Sequence, residues 1–111
     1  MKTTTAATRL LIRADGTQAE LSHLQITTRR IAALIHADTL DTVNLRDGHV
    51  MFGDDAGHAR ALPINPQATR RYWAVCQPGT THQIVGDVVI APDSDFSRPA
   101  SRSASRITLI S

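Results

Sequence analysis

Glycine, aspartate and proline interrupt the chain between Asp41 and Pro66 so often that only short strands joined by tight turns fit there. Val43 and Leu45 alternate with Thr42 and Asn44, and Val50 and Phe52 share one parity, so each run buries one face as a pleated strand. Arg46-Asp47-Gly48 supplies the turn between them, its glycine accepting a positive φ, and Asp54-Asp55-Ala56-Gly57 marks a second turn. His58 to Leu62 then reads as a third short strand that stops at Pro63, because proline has no amide to offer a sheet ladder. Asn65-Pro66 opens a helix: the asparagine oxygen accepts from an orphan amide, and the fixed φ of proline suits the first helical position.

The flanking sequence fits the same economy of short elements. Arg9 to Arg13 reads as a strand, Ala14 to Thr17 as a turn, and Ala19 to Leu21 as a weak strand pairing back. Thr27 or Thr28 caps a helix that presents Ile31, Leu34 and Ile35 on one face and ends by Asp38; whether His23 to Gln25 joins it, the pattern leaves open. The second helix, Pro66 to Cys76, aligns Ala68, Tyr72, Val75 and Cys76 as a buried stripe with Trp73 at its margin. Ile84 to Ile90 is apolar enough for a buried strand, with Gly86 marking a bulge or a close backbone approach. The expected architecture is α+β: a mainly antiparallel meander of about five or six strands with two short helices on one face.

At 111 residues there is room for one domain, expected over residues 1–97. Residues 98–106, Arg-Pro-Ala-Ser-Arg-Ser-Ala-Ser-Arg, are too poor in apolar side chains to bury themselves and read as a flexible segment. Residues 107–111 begin Ile-Thr-Leu-Ile, a terminal strand candidate that would pair with a sheet edge of this chain or of a second copy, making a homodimer an expectation. Leu10 to Ile12 is too short for the apolar core of a secretory signal and no run is long enough to span a bilayer, so the expected compartment is the cytoplasm and no membrane partner is expected.

The sequence pI of about 9.3 is misleading as a whole-chain figure. Of the 12 basic and 10 acidic residues, Arg98, Arg102 and Arg106 fall in the tail, leaving nine against ten, a net of −1, over residues 1–97. The one nucleic-acid reading that charge supports is therefore a basic C-terminal arm of Arg98, Arg102 and Arg106.

Catalytic machinery is hard to assemble. His23, His36, His49, His58 and His82 show none of the local spacings that hold a metal, although His49 and His58 flank a hairpin and are the pair placed to meet across it; no metal or other cofactor is expected. Asp54 and Asp55 are what a turn demands, and Cys76, the lone cysteine, falls on the buried stripe where a thiol resists ionisation. The tail serines lack a nucleophile elbow, and no glycine-rich phosphate loop occurs. More suggestive are Arg70 and Arg71, placed in the first turns of the second helix at the end where the dipole disfavours cations. Arg70 beside Trp73, with Arg71, puts cation next to aromatic, a pairing suited to a nucleotide base and phosphate or to a protein surface.

Asp41-Thr42-Val43-Asn44-Leu45 followed by Asp47-Gly48, Leu62-Pro63-Ile64-Asn65-Pro66 with Ala68-Thr69 and Tyr72, and Ile84-Val85-Gly86-Asp87-Val88 occur in that order. Residues of about 34–96 thereby resemble a family of small bacterial and phage domains, domain of unknown function 3846. The resemblance implies a setting on phages, plasmids or integrated elements and brings no catalytic residues with it. With no catalytic constellation in the chain, the expected function is that of a non-enzymatic accessory protein of a phage or mobile element. It would bind a host protein or other macromolecule, or sequester a small nucleotide-like ligand, with counter-defence as one such role; nucleic-acid binding through the basic arm is the alternative.

Overall fold

The computed structural model describes residues 8–21, 25–46, 48–96 and 106–108. The strands are β1 (Leu10–Ile12), β2 (Gln18–Glu20), β3 (Thr39–Asn44), β4 (His49–Asp54), β5 (Val88–Pro92) and β6 (Arg106–Thr108); the helices are α1 (Thr28–Ile35) and α2 (Pro66–Ala74), and a 3-10 turn covers Asp93–Phe96. They form one sheet in the order β2-β1-β5-β4-β3-β6 in which every neighbouring pair is antiparallel. The class is therefore α+β, an antiparallel sheet with two helices, in agreement with the sequence pattern.

Three details differ from expectation. His58 to Leu62 is not a strand: residues 55–61 form successive turns, closed by Gly57 N–H to the Asp54 carbonyl (3.0 Å) and Arg60 N–H to the Ala56 carbonyl (2.9 Å). The place beside β4 goes to β5, paired Met51 to Ile90 and Phe52 to Val89. Burial decides this exchange. Val88, Val89, Ile90 and Ala91 are apolar on both parities and all buried, which a central strand covered on both faces requires, whereas His58 and Arg60 would put polar groups into that core.

The second difference follows from the first. The helices lie on opposite faces, not on one. Leu11, Val50, Phe52, Val89 and Ala91 pack with Ile31, Ala32 and Ile35 of α1, while Ile12, Met51, Val88 and Ile90, the alternate parity, pack with Ala68 and Tyr72 around α2.

The third is at Ile84 and Val85, which stay outside β5 and make only an isolated bridge between Val85 and Ile64. Gly86 turns the chain at φ 79°, and a Cβ there would stand 2.8 Å from Leu62 Cδ1, so the expected close approach is real. At the far edge β6 pairs with β3, Leu40 opposite Ile107 and Asp41 opposite Arg106, so Arg106, assigned above to the flexible segment, has its backbone in a strand. Residues 97–105 and 109–111, with Arg98 and Arg102, lie outside the described residues.

Local chemistry sets the helix limits. Thr27 caps α1, its hydroxyl accepting from Arg30 N–H (3.2 Å), and His36 ends it in a left-handed conformation at φ 57° with its amide turned back to Ala32 and Ala33 carbonyls. Gln25 lies before the helix, and residues 22–24 are outside the described residues. Asn65 caps α2, which stops at Ala74 two residues short of expectation, with Val75 as its C-cap.

Two polar side chains tie these elements together. Asn65 is fully buried and fully used: Oδ1 accepts from Ala68 N–H (3.0 Å), while Nδ2 donates to the carbonyls of Ile12 (3.0 Å) and Gly86 (2.9 Å). Asp95 meets Arg9 in two hydrogen bonds of 2.7 Å and also accepts from Ile26 N–H (3.2 Å), joining the start of β1, the 3-10 turn and the approach to α1. The Arg9 guanidinium, then the Ile26 amide, hold the Asp95 carboxyl below its ordinary value of 3.8 against the opposing effect of burial.

Asn65→Ala removes a cap and the side-chain donor to two carbonyls, so it is expected to lower stability by about 2–4 kcal/mol in urea unfolding. For Asp95 the folded pKa lies below the unfolded one. Its contribution is therefore complete above the unfolded value and is lost as pH falls through the folded pKa. Urea midpoints measured from neutral to acid pH should decline for the wild type below about pH 4, and Asp95→Asn, weaker at neutral pH, should decline less steeply.

Candidate functional site

Burial leaves two large apolar side chains in water among the described residues, Ile64 at 46% exposure and Trp73 at 40%. They border the same piece of backbone. Ile64 bridges to Val85 from the start of α2, and the Trp73 indole N–H donates to the His82 carbonyl (2.7 Å) from its last turn. Segment 82–86 is thus laid along α2 and held by side chains and main chain alike. The Thr69 hydroxyl donates to the Ile84 carbonyl (3.3 Å) and accepts from Ile84 N–H (2.9 Å), Asn65 N–H reaches the same carbonyl (2.8 Å), and Gly86 N–H reaches Pro63 (2.7 Å).

His58 closes the other side. Its ring centroid lies 5.0 Å from that of His82, which in turn meets Tyr72 edge-on at 5.7 Å. His58 Nε2 lies 3.1 Å from the Gln83 carbonyl, and because a carbonyl only accepts, that nitrogen must carry the proton. Beneath it, Gly57 comes so near Val85 that a Cβ would stand 2.8 Å from Val85 Cγ2. The Tyr72 hydroxyl is pushed above the ordinary tyrosine value, first by its hydrogen bond with the Cys76 side chain, then by burial and by the charges of Cys76 and Asp41. It keeps its proton at neutral pH and is no base. Cys76 itself is half-buried and not part of the sealed core that the stripe suggested.

The arginines separate on the helix surface. Arg70 and Trp73, three residues apart, lie side by side roughly 60° around the cylinder, whereas Arg71 stands roughly 160° from Trp73 on the far flank. Both arginines are exposed and make no hydrogen bond or ion pair among the described residues. Since α2 is shorter than expected, Arg71 falls in its last turn, where the dipole favours a cation; the first-turn placement expected for it is corrected. Arg29 and Arg30, on the other helix, occupy the first turn of α1.

Other candidates resolve into local structure. His49 and His58 do not meet, because β4 carries the chain away from His49 before the turns that hold His58 begin, and His49 Nε2 instead accepts from Thr8 N–H (3.1 Å). Asp54 accepts from Ala56 N–H (2.8 Å) and pairs with Arg60, which also donates to the His36 carbonyl (3.0 Å). No group of three or more His, Cys, Asp or Glu among the described residues is placed to hold a metal ion, and no helix among them is long and apolar enough to cross a membrane.

Ile64 and Thr69 are members of this site that sequence reading missed. Thr69 lies one position from the buried Ala68 and three from Tyr72, a spacing that marks it as inward-facing and does not reveal what its hydroxyl meets.

No family model, no curated protein and no solved structure matches the chain. What the site does must be argued from its own geometry, which is that of a fixed surface: an indole and an isoleucine held outward on a scaffold whose neighbouring backbone polar groups are satisfied from within.

Thr69→Val keeps the volume and removes both bonds to Ile84. It is expected to cost about 1–2 kcal/mol in unfolding free energy and to raise the hydrogen-exchange rate of the Ile84 amide well above that of Val89 in the core.

Proposed function

We propose that this chain is a non-enzymatic, cytoplasmic accessory protein of a phage or other mobile genetic element, and that it works by binding a host protein through the outer face of α2. The observation that carries the reading is Trp73, exposed although its indole N–H is already satisfied by His82, with Arg70 beside it and exposed Ile64 at the other end of the same segment. Tryptophan and arginine are the residues on which interface energy concentrates, and an apolar surface kept in water at some cost in solubility suits a partner that covers it. A protein partner is favoured over a small nucleotide-like ligand because Ile64 offers such a ligand nothing polar to recognise. The mobile-element setting rests on the resemblance of residues of about 34–96 to a phage and bacterial domain family.

Affinity capture from host lysate tests this directly. The wild-type chain should retain a partner that Trp73→Ala and Ile64→Ser each release at least about tenfold, while Ile64→Ser unfolds at the wild-type urea concentration and Trp73→Ala, which loses the bond to His82, stays folded with a somewhat lower midpoint. Equal retention by all three would refute the reading.

A further inference from the structure

From Ala56 to Gly86 the chain contains no aspartate or glutamate, yet it holds Arg60, Arg70 and Arg71. The fold gathers this acid-free run on one side of the sheet. The turns at 56–61, α2 and segment 82–86 hold one another through His58, Asn65, Thr69 and Trp73. Of the three cations Arg60 is engaged by Asp54 and the His36 carbonyl, which leaves Arg70 and Arg71 as the exposed charges of the face. Acids at its border have other partners: Asp54 takes Arg60 and the Ala56 amide, Asp55 beside it is engaged as well, and Asp87 accepts from Ala14 N–H (3.0 Å). Asp41, across from Arg106 on β3, is the further acid whose charge reaches this side, at Tyr72.

A surface that is apolar at Ile64 and Trp73, cationic at Arg70 and Arg71 and made from acid-free sequence complements a particular partner chemistry. We infer that the α2 face docks an acidic polypeptide segment, whose carboxylates meet the Arg70 guanidinium beside Trp73, with Arg71 adding charge from the far flank, and whose aliphatic side chains cover Trp73 and Ile64. This rests on the reading of the face as a binding surface given above and adds the chemistry of what it binds. A guanidinium fork matches a carboxylate in two parallel hydrogen bonds, and complementary charge sets both the register and the rate of such an encounter. Single-stranded nucleic acid would also accept an indole and arginines, but it offers Ile64 no aliphatic partner, and two arginines on separate flanks of one helix make a short phosphate track.

Trp73 is the only tryptophan in the chain, so its emission reports on this face alone. The full chain is titrated with a synthetic peptide of alternating Glu and Leu, with the same peptide carrying Lys for Glu, and with a thymidine oligonucleotide. The Glu–Leu peptide should shift the emission saturably and bind less tightly as salt is raised. Arg70→Glu should weaken it about tenfold or more, while Arg29→Glu, exposed on α1 at the opposite face, should bind as the wild type does. An equal response to the Lys–Leu peptide would overturn the acidic-partner inference and leave the face as a binding surface. A response confined to the oligonucleotide would overturn it in favour of nucleic acid, and silence towards all three would overturn it together with the reading beneath it.

Discussion

The side-chain amide of Asn65 is the point at which this small structure is joined. It sits without solvent where α2 begins, and its oxygen and nitrogen satisfy three backbone groups from three parts of the chain: the first turn of α2, the end of β1 and the Gly86 turn that leads into β5. An unpaired buried amide or carbonyl costs about 1–3 kcal/mol, so any shift of α2 along the sheet would break several such bonds at once. The hydrophobic contacts of α2 are few and come mainly through Ala68 and Tyr72, which makes its placement depend on directional bonds more than on area. Thr69 and Trp73 extend the same arrangement, so the surface bearing Arg70 and Trp73 inherits its rigidity from a buried polar joint.

On the other face the arrangement is conventional hydrophobic packing. Ile31, Ala32 and Ile35 of α1 close over Leu11, Leu40, Val50, Phe52, Val89 and Ala91, with Phe96 against Phe52 at 4.9 Å. The Arg9–Asp95 pair locks the rim of that layer, and its orientation is fixed by two parallel hydrogen bonds. The two large apolar side chains left in water among the described residues, Ile64 and Trp73, thus both belong to the α2 side of the sheet.

Much of this was legible in the residues and some was not. The caps Thr27 and Asn65, the Gly48 turn, the β3–β4 hairpin and the crowding at Gly86 all follow from local stereochemistry and appear where the sequence puts them. His58 to Leu62 was misread because short runs with alternating small residues satisfy strand and turn patterns equally; the tie is broken by competition for the place beside β4, won by a segment thirty-odd residues later. The exposure of Trp73 was legible from its position at the margin of the α2 stripe. Its bond to His82, the His58–His82 contact and the clamp at Thr69 were not, since each joins residues whose proximity depends on how 82–86 crosses the helix.

By itself the sequence determined the local vocabulary: which residues turn, which cap, which are apolar on one parity and which on both, because those properties depend on a residue and its near neighbours. Tertiary structure alone decided that β5 enters the sheet between β1 and β4, that the helices take opposite faces, and that Ile64, Arg70 and Trp73 share one surface. The reason is that burial is a global constraint. Val88 to Ala91 needs cover on both faces, only the complete set of elements can supply it, and the position of every exposed group follows from how that requirement is met.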